Sequence, residues 1–106
     1  MLRNSIEPMH AIRRQHQALA ILRVLHRDSG QRANDRVLAD YLQTIALGGS
    51  HEQVRDALQR LAELNLVVVE PVENLVVARL TERGEAVAIG NDSCEGVLRA
   101  YPDCPY

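Results

Sequence analysis

Apolar positions recur every three to four residues along most of this chain and predict four helices, with one short β-rich stretch between the third and fourth. From Pro8 to about Asp28, Ala11, Ala18, Ile21, Leu22 and Leu25 line one face of an amphipathic helix, with Ile12 and Leu19 beside them. Pro8 suits a first helical turn, and Gly30 a C-terminal stop. The linker Gly30–Asn34 has room for two or three extended residues. Asn34 or Asp35 then caps a second helix through Leu47, with Val37, Leu38, Tyr41, Leu42 and Ile45 as its stripe. Gly48–Gly49 breaks the pattern with a turn.

A third helix opens at Ser50 with a capping box, Ser-x-x-Gln, completed by Gln53. Val54, Ala57, Leu58, Leu61 and Leu64 form its buried face, and Asn65 suits a left-handed exit. Residues 66–70 and 75–80 are short, β-branched and separated by "PVEN", the pattern of an antiparallel hairpin. Thr81 caps a short fourth helix that Gly90 ends. Residues 91–106 hold two prolines after a stretch without period and read as a tail, either a loose helical turn or an extended arm with mobile thiols at Cys94 and Cys104.

Composition narrows the function classes. The chain has 106 residues, enough for one domain, and no Trp or Phe. Its core is therefore Leu, Val, Ile and Ala, and aromatic base-stacking surfaces are disfavoured. No apolar run reaches the roughly 18 residues that span a membrane, and no signal-peptide core is present. The two cysteines make no disulfide framework. A cytoplasmic protein with no membrane association is the expectation. Every one of the twelve basic residues is Arg. Residues 1–36 carry seven Arg against Glu7, Asp28 and Asp35, or +4, while residues 37–106 carry five Arg against eleven acids, or −6. The basic segment is either an anion-facing patch or simply a solvated face.

Catalytic patterns are missing. His10, His16, His26 and His51 are not at helical chelating spacings, and the cysteines lie ten apart. Gly48–Gly49 lacks the Gly-Lys-Ser/Thr of a phosphate loop. Neither an enzyme, a metal site nor a cofactor is expected.

The order helix, short strand, helix, turn, helix, hairpin, helix resembles a winged helix-turn-helix domain of the broad MarR/ArsR type, a mainly α fold with a small β-hairpin (α+β). The resemblance is carried by "VLADYLQTIALGGSHEQVRDALQRLAELNLVVV" and by "VARLTERGEAVA", in which Leu80–Gly84 forms the phrase that closes the wing. It extends over about residues 10–90, so that residues 1–90 form the domain and 91–106 the tail. The rhythm is also similar to small winged-helix proteins of Mu-like prophages. It implies a DNA-binding transcriptional regulator or accessory that dimerises through its terminal helices, with the tail able to reach a second subunit.

Fold alone does not assign function. At 100° per residue, Glu52, Asp56, Gln59 and Glu63 fall opposite the core on the third helix, with Arg55 on one flank and Gln53 and Arg60 on the other. Gln and Arg can read adenine and guanine edges, so Ser50, His51, Gln53, Arg55, Gln59 and Arg60 are the expected contacts to double-stranded DNA. Arg13 and Arg14 of the first helix and Arg79 at the base of the wing would add phosphate contacts. The acids on the same face and Glu70 and Glu73 at the wing tip oppose a polyanion. The alternative is a protein–protein interaction module on the same fold.

Overall fold

A computed structural model describes residues 2–106, with side chains from Pro8 onward. Four helices and a three-stranded antiparallel sheet follow one another: α1 (Leu2–Arg27), β1 (Arg32–Asn34), α2 (Asp35–Thr44), α3 (His51–Glu63), β2 (Val67–Val72), β3 (Leu75–Leu80) and α4 (Glu82–Ala88). The sheet order is β1-β3-β2, so the two outer strands both pair with β3.

The expected start of the first helix needs correction. With 26 residues, α1 is about 39 Å long at 1.5 Å per residue, and Pro8 lies inside it rather than in its first turn. Proline has no N–H to offer the carbonyl four residues back, so the helix passes this point with one bond missing. The two parts of α1 differ in burial. Residues 17–22 and Leu25 are buried in the core, whereas Pro8–His10 and Ile12–Gln15 are exposed.

All three remaining helices end the same way. After α2, Ala46 turns left-handed (φ +59°), and Leu47 N–H and Ala46 N–H bond back to the carbonyls of Leu42 and Gln43. This closes α2 at Thr44, before the expected Leu47, with an alanine where glycine is the usual choice. Asn65 (φ +62°) does the same after α3, and Gly90 (φ +85°) after α4. Asn34 proves to be the cap of α2, its Oδ1 accepting the N–H of Val37.

In the hairpin, Val72 stands opposite Leu75, leaving a two-residue turn at Glu73–Asn74 with Glu73 at φ +55°. The expected four-residue "PVEN" turn is therefore shorter, and Pro71 belongs to β2. An edge strand is where a missing N–H costs no ladder bond. Leu66, Val67, Ala78 and Leu80 point into a core shared with Leu19, Leu22, Leu38, Leu42, Leu58 and Val87. Gly84 sits where α4 crosses the exit of α3: a Cβ there would overlap the Leu66 carbonyl oxygen and stand 2.8 Å from Leu80 Cδ1.

The tail is folded back on the chain's own first helix. Leu98 N–H donates to the Gln15 carbonyl at 3.1 Å, Arg23 Nε to the Tyr106 carbonyl at 2.7 Å, and His16 Nδ1 lies 2.7 Å from the Tyr106 hydroxyl. Val97 enters the core, and Cys94 and Cys104 are half-buried free thiols packed against it. Among the described residues no helix is long and apolar enough to cross a membrane.

Candidate nucleic-acid interface

The α2–turn–α3 unit is positioned from three sides. Ser50 Oγ accepts the Gln53 N–H at 3.1 Å and Gln53 Oε1 accepts the Ser50 N–H at 2.8 Å, completing the capping box. Gly49 leaves room for it, since a Cβ there would overlap Gln53 Oε1. From α1, the buried Gln17 donates through Nε2 to the Leu47 carbonyl at 2.7 Å. Arg13 reaches the neighbouring Ala46 carbonyl at 3.3 Å.

The third support is a buried carboxylate. Asp35, the first residue of α2, has no exposed surface. Its Oδ1 accepts the N–H of Val76 from β3 at 2.9 Å, and its Oδ2 accepts Arg55 Nε of α3 at 2.7 Å and pairs with His51 Nε2. Burial by itself raises the carboxyl pKa. The Val76 N–H, Arg55 and His51 outweigh that and lower it from 3.8 to about 2. Arg55 extends the latch with a 2.6 Å bond from its guanidinium to the Asn74 carbonyl in the hairpin turn. One carboxylate thus ties together α2, α3 and the β2–β3 hairpin.

Arg55 and His51 were expected to face a duplex. Here their polar groups are turned to Asp35, although both side chains remain partly exposed. Ser50 and the oxygen of Gln53 are engaged in the cap. Gln59 and Arg60 are exposed, as are Glu52, Asp56 and Glu63, so the expected outer face of α3 is the observed one. Arg79 lies beside Arg32 on the exposed side of the sheet, opposite the face whose Ala78 and Leu80 enter the core.

Cationic side chains instead gather on the α1 flank of α3. His10, Arg13, Arg14 and Gln17 of α1 face Gln53, Asp56 and Arg60 of α3 across a groove of 260 Å³. Asp56 is its single acid, and no ion pair joins it to Arg60 within 4.0 Å among the described residues. Arg23 and Arg27 do not contribute. Arg23 holds the Tyr106 and Ala88 carbonyls, and Arg27 the Tyr41 hydroxyl. On the other flank, Glu70 and Glu73 near the hairpin tip meet no free cation of α3, because Arg55 is already committed.

Asp35 and Gln17 are the site-building residues that sequence reading missed. The sequence offers Asp35 only as one of two possible caps, and Gln17 lies beside an apolar stripe. A polar residue falling on the buried arc of a helix was the available signal for Gln17. Among the described residues no group of three or more His, Cys, Asp or Glu side chains could hold a metal ion.

The chain is similar to a phage protein. The uncharacterized protein gp26 of Escherichia phage Mu is 39% identical over 84 residues, covering 79% of this chain and 86% of the relative. No family model matches the chain, and no solved structure matches it.

Proposed function

We propose, for a chain that belongs to the family of phage Mu gp26, a winged helix-turn-helix protein of phage origin that binds double-stranded DNA as a transcriptional regulator or DNA-binding accessory. The observation that carries this reading is the groove in which Arg13, Arg14 and Arg60 converge beside the exposed face of α3. A duplex carries one negative charge per roughly 1.7 Å of axis, and such a cluster supplies the phosphate contacts that α3 alone lacks. The amide of Gln53 lines that groove and Gln59 is exposed on the same helix, both suited to base edges.

The contact surface in this reading is displaced from the wing toward α1. The hairpin tip is acidic, and Arg55 serves the Asp35 latch rather than a phosphate. Glu52, Asp56 and Glu63 keep non-specific affinity low. The protein acts in the cytoplasm as a homodimer presenting two such surfaces to two half-sites.

Fluorescence anisotropy of a labelled mixed-sequence duplex, titrated at low and moderate salt, tests the reading. Binding should weaken with salt, and Arg14→Gln with Arg60→Gln should flatten the log–log salt slope by about 0.9 per lost phosphate contact. Arg79→Gln should leave affinity unchanged. No binding at tens of micromolar at low salt would overturn the proposal. That result would favour a second reading, a protein-interaction module, for which the exposed acids Glu52, Asp56, Glu63, Glu70 and Glu73 provide a complementary surface for a basic partner.

A further inference from the structure

Next to the cationic groove, and sharing Arg14 and Arg60 with it, lies a second cavity of 280 Å³ between α1, α3 and residues 95–97. Its walls are Ala11 and Ala18 from α1, Ala57, Leu61 and Leu64 from α3, and Val97 from the folded-back tail. Core side chains that meet across three elements normally close on one another, but two of these walls present alanine, which leaves the space open. Gly96 at the rim (φ +89°) has nothing within 4 Å of where a Cβ would stand. Glu95 marks the tail side of the rim, and Arg14 and Arg60 mark the side toward the cationic groove. Neither arginine makes an ion pair or side-chain hydrogen bond with another described residue.

An apolar floor with two guanidinium groups beside it suits one kind of molecule. We infer that this cavity is a binding site for a small organic anion, a carboxylate on a short apolar body. The anionic end bonds Arg14 and Arg60, and the body lies against Ala57, Leu61, Leu64 and Val97. The volume falls at the lower limit of small-molecule sites, about 300–1,000 Å³, which restricts the body to a short chain or a single ring. Glu95 is the single acid of the lining and repels the carboxylate, which leaves the anionic end to the two arginines. Occupation engages the same two arginines that a duplex phosphate would use, so the anion and DNA compete. Only this competition rests on the DNA-binding reading, whereas the site itself does not.

Octanoate is a suitable probe, titrated into the full-length ¹⁵N-labelled protein and followed by amide shifts. Saturable shifts are expected at Ala57, Leu61, Gly96 and Val97. Octanamide, which lacks the charge, and acetate, which lacks the body, should each bind at least about tenfold more weakly, the loss of one charge-assisted contact or of most of the buried chain. Arg14→Gln or Arg60→Gln should weaken octanoate by a similar factor. Both side chains are exposed, so the remaining spectrum should report an intact fold. Equal binding of octanamide and octanoate, or shifts clustered elsewhere, would overturn the site.

A labelled duplex then separates the two readings. Octanoate, but not acetate at the same ionic strength, should lower duplex affinity several-fold. Duplex binding that ignores saturating octanoate overturns the competition and leaves DNA binding standing. Octanoate binding with no duplex binding overturns the DNA reading, and the competition with it, while the site stands.

Discussion

Asp35→Asn removes the charge of the buried latch while keeping its shape. The asparagine oxygen can still accept the Val76 N–H, but its amide nitrogen then takes the place of Oδ2 and sets a donor against the Arg55 Nε–H, so the charge and that acceptor are lost together. The lowered pKa sets the size. A carboxyl held at about 2 instead of 3.8 favours folding by roughly 2 kcal/mol once it is ionised. Breaking a fully buried ion pair can cost about 3–5 kcal/mol, but Arg55 is 40% exposed and can rehydrate, which keeps the expected cost nearer 2. Because the folded pKa is depressed, this stability is complete above the unfolded value of 3.8 and disappears as pH falls toward 2. Urea unfolding followed by far-ultraviolet circular dichroism should therefore show Asp35→Asn about 2 kcal/mol less stable at pH 7. The gap should hold down to about pH 5 and narrow between pH 4 and pH 3. A variant as stable as the parent at pH 7, or a gap indifferent to pH, would refute the account of the latch.

Gly84→Ala places a methyl group against the Leu66 carbonyl, backbone that cannot rotate away, and against the Leu80 side chain, and should cost at least about 3 kcal/mol or prevent folding, read by the same urea transition. Ala46→Gly relieves an L-residue held in left-handed geometry at the end of α2 and should raise stability by about 1 kcal/mol, visible as a higher melting temperature. Arg55→Ala should lower stability in the unfolding assay, whereas Arg60→Ala, at an exposed position, should leave the transition within about 0.5 kcal/mol and show its effect in ligand binding instead.

The helices, the capping box, the left-handed exit at Asn65 and the paired strands were legible in the sequence, because each depends on residues within one turn or one hairpin. What escaped had its cause elsewhere in space. Ala46 carries no local sign of left-handed geometry, so the helical pattern runs on to Leu47, three residues past the observed end at Thr44. Pro71 looks like a turn residue until the sheet order makes β2 an edge. His51 and Arg55 stand correctly on the wheel of α3, but a wheel cannot show that Asp35 and the Val76 N–H wait on that flank. The groove shared by Arg14 and Arg60 was foreshadowed by the charge imbalance of the first 36 residues. Which of those arginines joined it depended on the tail, whose Tyr106 carbonyl occupies Arg23.

Pro71 has a further consequence, outside the folded state. "LVVV" at residues 66–69 is the kind of β-branched, uncharged run that stacks into intermolecular sheets when a chain is unfolded or newly made. Glu70 and Pro71 follow it directly, a charge and a residue that cannot donate to a neighbouring strand, and together they act as gatekeepers against aggregation. Replacing Pro71 with valine would leave Glu70 as the sole gatekeeper between two β-branched stretches on an open edge, and the penalty would appear in the yield of soluble protein on refolding.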